Sequence, residues 1–87
     1  GRPLFAEAGA TLVFALELLG QSVEAVVAAD ENLGRFPDNP GTLLNKASAL
    51  KSLGRTDAAK QTLAVVVAKH PGHPAAAAAT QALARLG

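Results

Sequence analysis

"LGRTDAAKQTLAVVVAKHP", residues 53–71, decides the fold. Gly54 closes a Leu-Gly pair, Ala59 lies five positions beyond it, and Pro71 lies seventeen beyond it. Residues 19–37, "LGQSVEAVVAADENLGRFP", place Gly20, Ala25 and Pro37 at the same offsets. The punctuation therefore recurs at a constant shift, the step from Gly20 to Gly54. At that shift Ala15, Leu16, Leu19, Gly20, Ala25 and Pro37 fall on Ala49, Leu50, Leu53, Gly54, Ala59 and Pro71. Pro40 falls on Pro74 and opens the next unit in register. The matches sit on small, Gly and Pro positions, which constrain a backbone, so the repetition is structural.

Each mark has a physical meaning. Pro40 and Pro74 suit the first position of a helix, where no backbone N–H is needed. Asn39 is a good N-cap for the helix that follows it. Gly20 and Gly54 suit the left-handed residue that ends a helix. Ser22 and Thr56 are then expected to cap the next helix, with Glu24 and Asp57 favourably placed in its first turn. Pro37 and Pro71 stop that second helix, because the residue before a proline resists helical geometry. The unit is helix, tight turn, helix, tight turn.

The marks predict five helices over 6–19, 22–35, 41–53, 56–69 and 74–86. Ala59, Leu63, Val66 and Val67 share the three-and-four spacing of one buried stripe. Val65, Val66 and Val67 are β-branched and would also suit a strand, but length, caps and register favour a helix. The five alanines at 75–79 are strong helix formers. Leu83 and Leu86 lie three apart and can reach back onto helix 56–69. The expected fold is all-α, a solenoid of about five antiparallel helices forming one domain over 1–87, with units 6–39 and 40–73 and a closing helix from 74.

Composition bounds the rest. The chain has 87 residues, no cysteine and three aromatics, Phe5, Phe14 and Phe36. No disulfide or thiolate-metal staple is available, and the compartment, cytoplasm or periplasm, stays open. The apolar run from Ala8 to Leu19 is too short to span a bilayer, which needs about 20 apolar residues, and Glu17 interrupts it. Net charge is +1, which gives no expectation of nucleic-acid binding. Its distribution is uneven. Residues 1–39 hold two basic and six acidic side chains, and residues 40–87 hold six basic and one acidic. An acidic end and a basic end can pair head to tail.

A helix-turn-helix unit of about 34 residues with these marks resembles the tetratricopeptide repeat. The second unit carries the pattern in Leu43, Ala47, Leu50, Gly54, Ala59, Leu63, Val66 and Pro71. The first carries it in Leu12, Val13, Leu16, Gly20, Ala25, Ala29 and Pro37. The departures are the missing bulky aromatics and three poor fits, Gly9, Lys46 and Asn32. The high alanine, glycine and valine content fits a GC-rich bacterial source.

Catalytic constellations are absent from the pattern. Ser22, Ser48 and Ser52 have no local His-Asp partners, and "GQSVEA" lacks the lysine and spacing of a phosphate loop. Asp30 and Glu31 are adjacent on a helix and diverge. His70 and His73 in "KHPGHP" occupy a turn with no third ligand evident, and His73 suits a cap position. No aromatic interleaves with Lys46, Lys51, Arg55 and Lys60, so base stacking is not expected. The reading is a protein without catalytic activity, metal or cofactor.

The resemblance implies a groove. In such arrays the first helix of each unit lines a concave face that holds a peptide or a partner helix. Carried over, that face comprises Glu7, Ala10, Phe14, Glu17 and Leu18, then Gly41, Leu44, Asn45, Ser48, Lys51 and Ser52, then Ala78, Ala82 and Arg85. Asn45 resembles one member of the carboxylate clamp of chaperone-binding relatives. The other members are replaced by Ala10, Phe14, Ala75 and Ala79, which argues against recognition of a C-terminal carboxylate. The expected function is a protein-interaction module that binds a protein or peptide partner, with Lys51 and Arg85 biasing it towards acidic segments. The alternative is self-association through helix 6–19, whose "AGATLVFALELL" is apolar nearly all round and needs cover on more than one side. A segment upstream or a second copy could supply that cover.

Overall fold

A computed structural model describes residues 2–86, with side chains from Gly9 onward. It contains α1 (Arg2–Leu18), α2 (Ser22–Arg35), α3 (Pro40–Ser52), α4 (Thr56–Lys69) and α5 (Pro74–Leu86), and no strand among the described residues. The valine run of α4 is helical, as its length and punctuation predict. α1 begins earlier than the expected residue 6, and Pro3 fits that start because the first turn needs no intrahelical N–H bonds.

The two Leu-Gly pairs make the same turn. Gly20 and Gly54 have φ of +78° and +79°. Gln21 N–H donates to Leu16 C=O and Gly20 N–H to Glu17 C=O; Arg55 N–H donates to Leu50 C=O and Gly54 N–H to Lys51 C=O. These crossed bonds satisfy the last carbonyls of α1 and α3. The turn is so tight that the residue after the glycine is already the cap of the next helix. Gln21 and Arg55 hold those positions, with no side-chain cap bond. Ser22 and Thr56 are thus not caps, contrary to expectation. They are the first helical residues, and the Ser22 hydroxyl instead donates to Glu17 Oε2 at 2.9 Å. Asn39 does cap α3, accepting from Thr42 N–H at 3.0 Å. The His73 ring does the same for α5, its Nδ1 accepting from Ala75 N–H at 2.9 Å.

α1 packs on α2 and α3 on α4 as antiparallel hairpins, and α3 also packs on both α1 and α2. α5 packs on α4 and, more loosely, on α3, so each unit is followed by a helix that rests on both of its helices. α1, α3 and α5 form one layer in which neighbouring backbones approach closely, whereas the backbones of α2 and α4 stay further apart. The α1–α3–α5 side is the face that the repeat resemblance expects to be the inner one. The extents of 36 × 30 × 18 Å are those of a slab two helices thick.

The core is built mainly of small residues. One cluster joins Leu43, Ala47, Leu50, Ala59, Leu63, Val66, Ala75 and Ala79, with Leu83 and Leu86 packed against it. A second joins Val13, Ala25, Ala29 and Ala49. A polar chain joins the buried Asn32 and Thr42 to the half-buried Asn39: Asn32 Nδ2 donates to Thr42 Oγ1 at 2.6 Å, and Thr42 Oγ1 donates to Asn39 Oδ1 at 3.0 Å. Gly9 and Asn32, both poor fits to the repeat pattern, explain one another. A Cβ on Gly9 would meet Asn32 Oδ1 at 2.1 Å, so the glycine leaves the room that the amide fills.

Candidate functional site

The inner layer positions the candidate residues. α5 lies beside α3, and the short side chains of Ala78 and Ala82 line the gap between them together with Leu44 and Ser48. A cavity of about 280 Å³ results, lined by Leu44, Ala47, Ser48, Lys51, Leu63, Ala78, Ala82, Arg85 and Leu86. Its floor is aliphatic. Lys51 and Arg85 are exposed, and among the described residues neither forms an ion pair. The walls supply no carboxylate at all.

Of the expected face residues, Leu44, Ser48, Lys51, Ala78, Ala82 and Arg85 come together here. Others lie elsewhere. Asn45 is half-buried between α1 and α3, its amide donating to the Ala10 carbonyl at 2.9 Å. Glu17 accepts from Ser52 Oγ at 2.6 Å and from Ser22 Oγ at 2.9 Å, so both carboxylate oxygens are engaged. Phe14 and Leu18 stand on α1, 50% and 70% exposed and outside the cavity. Glu7 lies outside the residues whose side chains are described. Ala47, Leu63 and Leu86 belong to the cavity but are expected from sequence only in the core. The stripe spacing places them inward, and what turns them into lining is the short reach of the α5 alanines.

Lys51 and Arg85 lie one repeat apart, and Glu17 lies one repeat before Lys51. The three occupy the same position on α1, α3 and α5, a row that runs from negative to positive along the inner layer. The hydroxyls of Ser22 and Ser52 hold the negative member at its own end.

The surface of the first hairpin differs from that of the second. Leu12, Phe14, Leu18, Leu19, Val23 and Val27 are each at least half exposed. Their counterparts one repeat later are Lys46, Ser48, Ser52, Leu53, Asp57 and Gln61, only one of which is apolar. Lys46 packs at the junction with the first hairpin, where its Nζ pairs with Asp30 at 2.6 Å. The matching surface of the first hairpin carries Leu12 and Ala15 of α1 and Leu19 of the turn after it, all exposed.

At the opposite edge His70 Nε2 donates to the Asp38 carbonyl, linking the α2–α3 turn to the α4–α5 turn. The two histidine rings are 6.1 Å apart, edge to face. Among the described residues no group of three His, Cys, Asp or Glu gathers as a metal site, and no helix is long and apolar enough to cross a membrane.

Helical hairpins of one repeated design, each packed on the next, define a helical repeat protein. The sequence profile of the tetratricopeptide repeat matches residues 5–84, and the chain belongs to that family. Comparison with curated proteins and with solved structures finds no matching relative. Domains of this family generally mediate protein–protein interaction.

Proposed function

We propose that this chain is a non-catalytic interaction module that holds a peptide or partner helix on the α1–α3–α5 face. The aliphatic cavity between α3 and α5 carries the reading. It offers an apolar anchor point beside polar groups, the usual anatomy of a recognition site. At about 280 Å³ it is smaller than the roughly 300–1,000 Å³ of most small-molecule pockets, which suits one or two side chains better than a cofactor. Phe14 and Leu18 extend the apolar surface along α1. The test uses peptides selected from a random display library against the chain. Leu44→Glu places a charge in the cavity and Phe14→Glu places one on the adjoining surface. Each is expected to weaken binding by about tenfold or more. Unchanged affinity in both variants would refute the placement.

A second reading is self-association through α1. The observation that favours it is the apolar surface of the first hairpin, which the second hairpin lacks. Such a surface marks an interaction site, and the acidic first half and basic second half of the chain add an electrostatic route for copies to meet.

A further inference from the structure

We infer that the cavity between α3 and α5 selects partner segments in which an aliphatic side chain lies within one helical turn of an aspartate or glutamate. The inference rests on the groove reading above and names the chemistry of its partner. The floor of Leu44, Ala47, Leu63 and Leu86 takes the aliphatic group. Lys51 and Arg85 stand together at the rim because both occupy the last turn of parallel, adjacent helices.

Among the described residues nothing satisfies that pair of charges. α3 and α5 contain no acidic residue, and α4 contains only Asp57, in its first turn. The nearest acid in register is Glu17, and two hydroxyl donors already hold its oxygens. Two cations that pair with no described residue, beside an apolar floor, complement a carboxylate next to an aliphatic group. Charge-assisted hydrogen bonds to a carboxylate are about twice as strong as neutral ones. The rim is open to solvent, so its contribution to affinity falls with added salt.

The carboxylate comes from a side chain and not from a chain end. Asn45, whose amide could add a donor for a terminal carboxylate, lies outside the cavity lining and gives one N–H to the Ala10 carbonyl. The corresponding position on α5 is Ala79, fully buried and without a polar group.

The competing account is that Lys51 and Arg85 only complement the partial negative charge of two helix C-termini. Binding separates the two. A random peptide library on phage is selected against the full chain and against the Lys51→Glu/Arg85→Glu double variant. Bound peptides are located by NMR shift changes. The expected winners carry Leu, Ile or Met with an Asp or Glu no more than one helical turn away. Converting that acid to its amide is expected to cost about tenfold in affinity. Amidating the peptide's C-terminus is expected to change nothing. The double variant is expected to lose these peptides, and Lys51→Gln/Arg85→Gln repeats the test with a milder change if charge reversal disturbs folding. Winners that occupy the cavity without acidic enrichment would overturn this inference and leave the groove reading standing. So would acid-dependent binding that survives both double variants, or variants altered in stability alone. Winners that shift only resonances remote from α3 and α5 would overturn both.

Discussion

Gly20 and Gly54 have no neighbour within 4 Å of where a Cβ would sit, so space is not what they provide. Their positive φ is. An L-residue in that conformation costs about 1–2 kcal/mol. Gly54→Ala is therefore expected to lower the unfolding free energy by about that amount, read from denaturant titrations. Gly34 is the matched control. It lies inside α2, has no positive φ and is also unobstructed. Gly34→Ala is expected to raise stability by about 0.5–1 kcal/mol, because alanine loses less freedom in a helix. Equal effects of the two substitutions would show that the Leu-Gly turns do not depend on left-handed geometry. Such local marks are the most readable part of the chain, since glycine, proline and asparagine act on their own backbone. Ser22 and Thr56 show the limit. Their type suits a cap, but the crossed bonds of the glycine turn assign that place one residue earlier, to Gln21 and Arg55.

Between elements, side chains decide, and sequence spacing says less. The stripes of α4 and α5 are readable because three-and-four spacing is a property of one helix. The fit of Gly9 to Asn32 is not, since it joins the first half of α1 to the last turn of α2 and each residue looks wrong alone. The pair predicts a coupled response. Gly9→Ala gains about 0.5–1 kcal/mol of helix propensity. It meets Asn32, however, and overpacking of that kind costs about 1–3 kcal/mol. Asn32→Ala removes the obstacle together with the bond to Thr42. In the double variant the alanine at position 9 is expected to be neutral or stabilising, with a coupling energy of about 1–3 kcal/mol in a double-mutant cycle. Strict additivity would mean that the two side chains do not share the space. The candidate site is half readable for the same reason. Leu44, Ser48, Lys51 and Arg85 follow from register along the first helices. The place of Asn45 and Glu17 follows from hydrogen bonds to α1 and to two serines, which no spacing reveals.

For the whole molecule the two halves are unlike. Residues 1–39 carry most of the acids and the exposed leucines and valines, and residues 40–87 carry most of the bases. If copies meet through α1, mass measured by light scattering rises with concentration. Leu12→Ser/Leu19→Ser is then expected to return the chain to a monomer with its helix content intact. A wild-type chain that stays monomeric at millimolar concentration would remove self-association as a function of this surface. The inner face is expected to keep its affinity for selected peptides in the leucine variant, because Leu12 and Leu19 lie outside the cavity.

The hairpins are also braced against each other at opposite ends. His70 reaches the Asp38 carbonyl at one margin, and Ser52 reaches Glu17 at the other. Two struts set apart in this way resist splaying more than either would alone, much as a door is steadied by a hinge at top and bottom. Both contacts lie outside the apolar core, and together with the Lys46–Asp30 pair and the Asn45–Ala10 bond they tie the second hairpin to the first.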